Sequence, residues 1–178
     1  MILILGNPGA GKTTESRLLA EHLGCPCFSM GELIRQNVTG KHRQEMLAGK
    51  IISDQVTLDI VDKTLKTINT KQECVFEGNP RSVPQAQWWL AQQAAGRFKI
   101  TGLIHMTADP KIAEIRMAKR GRLDDHNEDV IEKRYAEYRR SITPTLTYLV
   151  EHGVAVHEIN ANGSIEEVAK EVRLALNV

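Results

Sequence analysis

The chain opens on an unbroken apolar run, Met1-Ile2-Leu3-Ile4-Leu5. Such a run is too short for a core helix and lacks polar alternation, so it predicts a strand buried on both faces. From Thr13 to Leu23 the pattern changes: Leu18, Leu19 and Leu23 recur at helical spacing, with Glu15, Arg17 and Glu21 between them. The same alternation continues downstream. Short apolar runs over 27–28, 73–77, 102–106 and 154–159 predict further strands. Longer periodic segments over 31–37, 42–47, 54–67, 84–95, 110–119, 128–139, 144–151 and 165–176 predict helices, with 144–151 opening as a separate helix at Pro144. Ser164 followed by Glu167 reads as a capping box for the last of them.

Strand–helix alternation of this kind predicts an α/β fold with a parallel sheet, whose ligands sit at the carboxyl ends of the strands. The segments rich in chemistry fall there. Gly6–Thr13 follows the first predicted strand, Ser29–Arg35 the second, and Gly78–Arg81 the third.

The first of these segments, Gly6-Asn7-Pro8-Gly9-Ala10-Gly11-Lys12-Thr13, fits the pattern G-x-x-x-x-G-K-[ST] in the strand–loop–helix context that the pattern needs. Glycines let backbone N–H groups approach a polyphosphate, and the helix that follows adds its positive dipole end. Lys12 can reach the β- and γ-phosphates, and the Thr13 hydroxyl can ligate Mg²⁺. The loop implies a bound nucleoside triphosphate without saying what becomes of it.

Composition narrows the class. The 178 residues suit a single domain, and 23 basic against 22 acidic residues leave no broad electrostatic footprint for nucleic acid or membrane. No apolar segment reaches the length of a signal core or a membrane span, so a soluble, cytoplasmic protein is expected. Cys25, Cys27 and Cys74 are odd in number and suggest small buried side chains rather than a disulfide framework or a metal site.

Charge matters locally. Phosphoryl transfer needs cations around a heavily anionic transition state, and Arg35, Arg81, Arg116, Arg120, Arg122 and Arg134 could supply them. Arg116 and Arg120 share a helix face, where two cations are better tolerated beside an anion. The alternative is solvated surface residues paired with Asp109, Glu114, Asp124 or Asp125.

Taken in order, these segments resemble the adenylate kinases and, more broadly, the nucleoside monophosphate kinases. The resemblance rests on Gly6–Thr13, on Ser29-Met30-Gly31-Glu32-Leu33-Ile34-Arg35 and on Ala48-Gly49-Lys50-Ile51-Ile52-Ser53-Asp54. It continues through Glu77-Gly78-Asn79-Pro80-Arg81 with Gln85, and Gly121-Arg122-Leu123-Asp124-Asp125 with Arg134. It implies a P-loop NTPase fold: a five-stranded parallel sheet flanked by helices, with a small helical acceptor-binding flap and a minimal lid. The whole chain, 1–178, would be one such domain, with core 1–28, 59–119 and 123–178, flap 29–58 and lid 120–122.

The resemblance also implies the reaction MgATP + AMP ⇌ 2 ADP by in-line transfer, with Mg²⁺ as cofactor; a monomer is expected over an oligomer, although the short lid weighs against it. ATP would meet Gly9, Ala10, Gly11, Lys12, Thr13, Thr14, Arg116, Arg120 and Asn162. AMP would meet Met30, Arg35, Lys50, Ile51, Ile52, Gly78, Arg81, Gln85, Arg122 and Arg134. Charge stabilisation would fall to Lys12, Arg81, Arg116, Arg120, Arg122 and Arg134. The metal would be held by Thr13 and, through water, Glu77. Gln85 looks like the residue that reads an adenine edge, since an amide both donates and accepts; an exposed helical Gln is the ordinary alternative.

Four positions depart from the family pattern. Glu77 and Asn79 replace the usual Asp and aromatic, Met30 replaces a small Thr beside the acceptor base, and only Gly121 separates Arg120 from Arg122. Met30 leaves a UMP- or CMP-type acceptor open. The short lid leaves open a P-loop ATPase or switch with weak transfer, and a kinase of another small molecule stays a third alternative.

Overall fold

The computed structural model describes residues 1–48, 52–121 and 128–178, without the side chain of Glu128. Five strands, β1 (Ile2–Gly6), β2 (Cys27–Ser29), β3 (Val75–Glu77), β4 (Gly102–Thr107) and β5 (Val156–Asn160), form one sheet in the order β2-β3-β1-β4-β5. Every pairing is parallel, and the register sets Leu3 between Phe76 and Leu103.

The β1 side chains show why the apolar run is continuous. Leu3 and Leu5 enter a core with Phe76, Trp89, Leu103 and Leu149, whereas Ile2 and Ile4 enter a second core with Val75, Ile104, Ile159 and Val168. A strand with layers on both faces has no position for a polar residue.

The helices are α1 (Lys12–Leu23), α2 (Met30–Asn37), α3 (Gly40–Leu47), α4 (Asp54–Leu65), α5 (Val83–Ala94), α6 (Pro110–Arg120), α7 (Glu128–Glu151) and α8 (Ile165–Leu176). The predicted capping box of α8 is present in both directions between Ser164 and Glu167. Strand ends differ from the sequence reading: Glu73, Cys74, Val154 and Ala155 lie outside β3 and β5.

One prediction fails outright. Residues 128–139 and 144–151 are not separate helices but one α7 of 24 residues with Pro144 inside it. Proline removes one helical donor and crowds the preceding turn. The buried stripe runs past it regardless, from Val130 through Ile142 and Leu146 to Leu149, and the Thr145 hydroxyl donates to the Ser141 carbonyl at 2.7 Å. Tertiary packing of that face outweighs the local defect.

Candidate active site

The strand order places the carboxyl end of β1 beside those of β3 and β4, where a crevice opens in a sheet of this topology. The phosphate-type loop fills that position. Gly9 has φ +78°, and a Cβ there would lie 2.5 Å from the Ala113 carbonyl oxygen, so the loop rests directly on α6. Gly11 precedes α1 at φ +92° and caps it without any side-chain hydrogen bond. The positive end of α1 therefore faces the crevice without a capping side chain of its own.

Lys12 folds back over the loop, its Nζ donating to the Gly6 carbonyl at 2.9 Å and the Asn7 carbonyl at 2.8 Å. Burial pushes its ammonium down to about 7; Glu77 opposes this, while Arg81, Arg134 and Arg120 add to it. A cation held among cations in a desolvated crevice is a site waiting for negative charge.

A cavity of about 500 Å³ runs from this loop across to α2 and α5. Gly9 to Thr14 and Arg116 line one half; Met30, Arg35, Gly78, Arg81 and Gln85 line the other. Arg120 and Arg134 line it as well. Ile52 is part of the lining and nearly fully buried. The buried Nη2 of Arg35 has no hydrogen-bond partner among the described residues. An orphaned guanidinium N–H in a crevice is costly unless an anion completes it. The Arg81 Nε donates to the Gly78 carbonyl at 2.6 Å, which sets that guanidinium over the β3 end.

The Thr13 hydroxyl donates to Glu77 Oε2 at 3.3 Å, and Glu77 is buried. These two oxygen donors suit a hard divalent cation. Among the described residues no group of three or more His, Cys, Asp or Glu gathers as a metal cage.

Other expected residues take positions that the sequence could not specify. Arg116 donates to the carbonyls of Ala161 at 2.7 Å and Gly163 at 3.0 Å, rather than pairing with Asp109 or Glu114. It thereby holds the β5–α8 loop against the cavity. Asn162 turns its side chain to the Asp109 N–H at 2.8 Å. Gln85 is not an exposed helical residue: it is 1% exposed and hydrogen-bonded on both amide atoms. Lys50, Ile51 and Arg122 lie outside the described residues, as do Gly49, Asp124, Asp125 and His126.

Several supporting residues were not singled out by pattern. Asn7, a variable position of the loop motif, pairs its amide with the backbone N–H and carbonyl of Ala108 at the end of β4. Tyr135 reaches the loop from α7 by donating to the Pro8 carbonyl at 2.9 Å. One turn on, Tyr138 meets His105 Nε2 at 2.6 Å, and His105 Nδ1 meets Glu158 Oε2 at 2.6 Å. The carboxylate can only accept, so Nδ1 carries the hydrogen of that pair. Glu15, on the first turn of α1, is buried in the cavity wall, and burial raises its carboxyl to about 7 despite Arg173 and Arg116. No periodicity distinguishes such residues from ordinary helical polar positions.

Comparison with known proteins bears on this geometry. A family model described as adenylate kinase matches residues 4–154. The chain is 31% identical over 182 residues to an adenylate kinase of Corynebacterium urealyticum, covering 99% of this chain and 98% of that protein. It is 34% identical over 173 residues to an adenylate kinase of Corynebacterium aurimucosum, covering 93% of each. An adenylate kinase of a Synechococcus strain is 32% identical over 177 residues, covering 96% of this chain and 95% of the relative.

Proposed function

The chain belongs to the adenylate kinase family, and from that premise we propose that it transfers the γ-phosphate of MgATP to AMP, giving two ADP. One observation carries the reading: a phosphate-type loop without a capping side chain and Arg35, whose buried Nη2 has no hydrogen-bond partner among the described residues, line the same cavity. A cavity with one anion site would fit an ATPase; two sites fit a transfer between two phosphorylated substrates.

The roles follow from chemistry. The loop from Gly9 to Thr14, with Lys12, binds the triphosphate. Arg116 and Asn162 shape the donor-base end through the β5–α8 loop. Arg35 and Arg81 hold the acceptor phosphate, and Met30, Ile52, Gly78 and Gln85 form its base pocket, to which Lys50 and Ile51 belong by sequence. Arg120, Arg122 and Arg134 neutralise charge between the two. No covalent intermediate or general base is needed, because positioning and electrostatic stabilisation carry phosphoryl transfer. Thr13 and, through water, Glu77 would hold Mg²⁺, which would supply positive charge to the triphosphate. Residues 29–58 act as the acceptor flap and 120–122 as the lid, and the enzyme works as a cytoplasmic monomer. Among the described residues no helix is long and apolar enough to cross a membrane.

A coupled assay with ATP and each of AMP, UMP, CMP and dCMP tests the reading. AMP should give the highest kcat/KM, and Lys12→Ala should lower transfer about 10²- to 10⁴-fold with the fold retained. A better pyrimidine acceptor removes the AMP assignment. ATP hydrolysis indifferent to AMP, with no ADP formed from AMP, removes the transferase.

A further inference from the structure

We propose that Asn79 withdraws the Gln85 carbonyl from base recognition, so that the acceptor site reads an unprotonated purine ring nitrogen and not the 6-amino group, taking AMP and purine riboside 5′-monophosphate alike. The inference rests on Gln85 facing the acceptor base, as assigned above.

The hydrogen bonds around Gln85 admit one assignment. An indole N–H only donates, so the Asn79 atom 2.5 Å from Trp89 Nε1 is Oδ1. The Asn79 amide nitrogen then faces Gln85 and lies 2.7 Å from its Oε1. The backbone N–H of Arg81 donates to the same Oε1 at 2.8 Å, which independently identifies that atom as the oxygen. A carbonyl oxygen has two lone pairs, and both are engaged. On the other side, Gln85 Nε2 donates one hydrogen to Asp54 Oδ1 at 2.6 Å, and that oxygen also accepts from Ser82 Oγ at 2.8 Å.

Burial keeps the chain in place. Asn79 and Trp89 are both 0% exposed. Releasing the Gln85 carbonyl to a ligand would strand the Asn79 amide in the protein interior, a cost comparable to the hydrogen bond gained.

Gln85 lines the cavity, and one N–H of its amide has no partner among the described residues. A donor matches a ring nitrogen of a purine. It cannot receive a hydrogen from an exocyclic amine. Recognition by this residue therefore reads an unprotonated ring nitrogen and passes over the 6-amino group. This gives the position where Asn replaces the family's aromatic a chemical consequence: an apolar ring could not occupy the Gln85 carbonyl.

The test compares AMP with purine riboside 5′-monophosphate, which lacks only the 6-amino group, as acceptors for the wild-type enzyme. The two kcat/KM values should agree within about fivefold, since a site built to receive that amine would discriminate far more strongly. A preference for AMP above fivefold overturns the inference. In Asn79→Leu/Trp89→Phe both buried polar partners are removed together and one lone pair of Gln85 is freed, so the preference for AMP should rise at least threefold. A ratio unchanged in the folded variant also overturns it, and if that variant does not fold the wild-type comparison decides alone. Gln85→Ala separates the premise from the inference: unaltered KM for both acceptors means Gln85 is not at the base, and the inference falls while transfer to AMP stands.

Discussion

The Tyr135 phenol donates to the Pro8 carbonyl at 2.9 Å and accepts from the Asn7 amide at 3.3 Å. This joins α7 to the phosphate-type loop one residue from Arg134, so the loop and a proposed charge-stabilising arginine share a mounting. Tyr135→Phe keeps the packing and loses the link. We expect kcat/KM for ATP to fall about five- to tenfold, with a stability loss near 1 kcal/mol, the size of one hydrogen bond. Steady-state kinetics and denaturant midpoints on the same preparation check it; a stability loss with unchanged kinetics would leave Tyr135 a purely structural residue.

Lys12 makes nucleotide binding pH-dependent. In the free protein burial holds its ammonium near 7. A polyphosphate beside it favours the charged form and raises that value. The complex then holds more protons than the free enzyme above pH 7, so binding takes up a proton and affinity falls as pH rises, by at most about tenfold per pH unit. Calorimetry in buffers of different ionisation heat should detect uptake at pH 8 and much less at pH 6. Lys12→Met should abolish the difference.

Glu15 makes stability pH-dependent. Burial lifts its carboxyl from 4.5 to about 7. Between those values the folded protein holds a proton that the unfolded chain has released, so stability falls as pH rises through that window. Glu15→Gln removes the titration. The variant should gain about 1–3 kcal/mol over the parent above pH 7, with the gain fading as pH falls toward 4.5. Denaturant titrations at pH 4.5, 6 and 8 measure it; a gain independent of pH would assign the effect to packing.

Two glycines of the loop should respond differently to alanine. Both have positive φ, but Cβ at position 11 meets nothing within 4 Å, whereas at position 9 it overlaps the Ala113 backbone. Gly11→Ala carries only conformational strain, about 1–2 kcal/mol. Gly9→Ala adds a clash against rigid backbone and should cost about 2–4 kcal/mol in total. Thermal unfolding of the pair orders them, and equal losses would contradict the close approach of loop and α6.

What the sequence revealed tracks how local each signal was. The β1 run, the loop and the capping box at Ser164 are determined by neighbours in the chain, and they appear as read. Pro144 misled because its local cost is plain while the compensating buried positions, from Val130 to Leu149, span about five turns. At the site, residue types were legible but partners were not. Arg116 was legible as a cation for the site, but not the carbonyls of Ala161 and Gly163 that it grips, 45 and 47 positions away. Asn79 looked like a lost aromatic; only the fold brings it to Trp89 and Gln85 together.

Trp88 and Trp89, the chain's only two indoles, sit on α5 at 5.8 Å between ring centres. Their emission therefore arises from one side of the molecule. Trp89 is bonded to Asn79, two residues before Arg81, while the triphosphate loop lies across the cavity. On the proposed assignment of Arg81 to the acceptor phosphate, indole emission would report acceptor binding with neither label nor coupled enzyme.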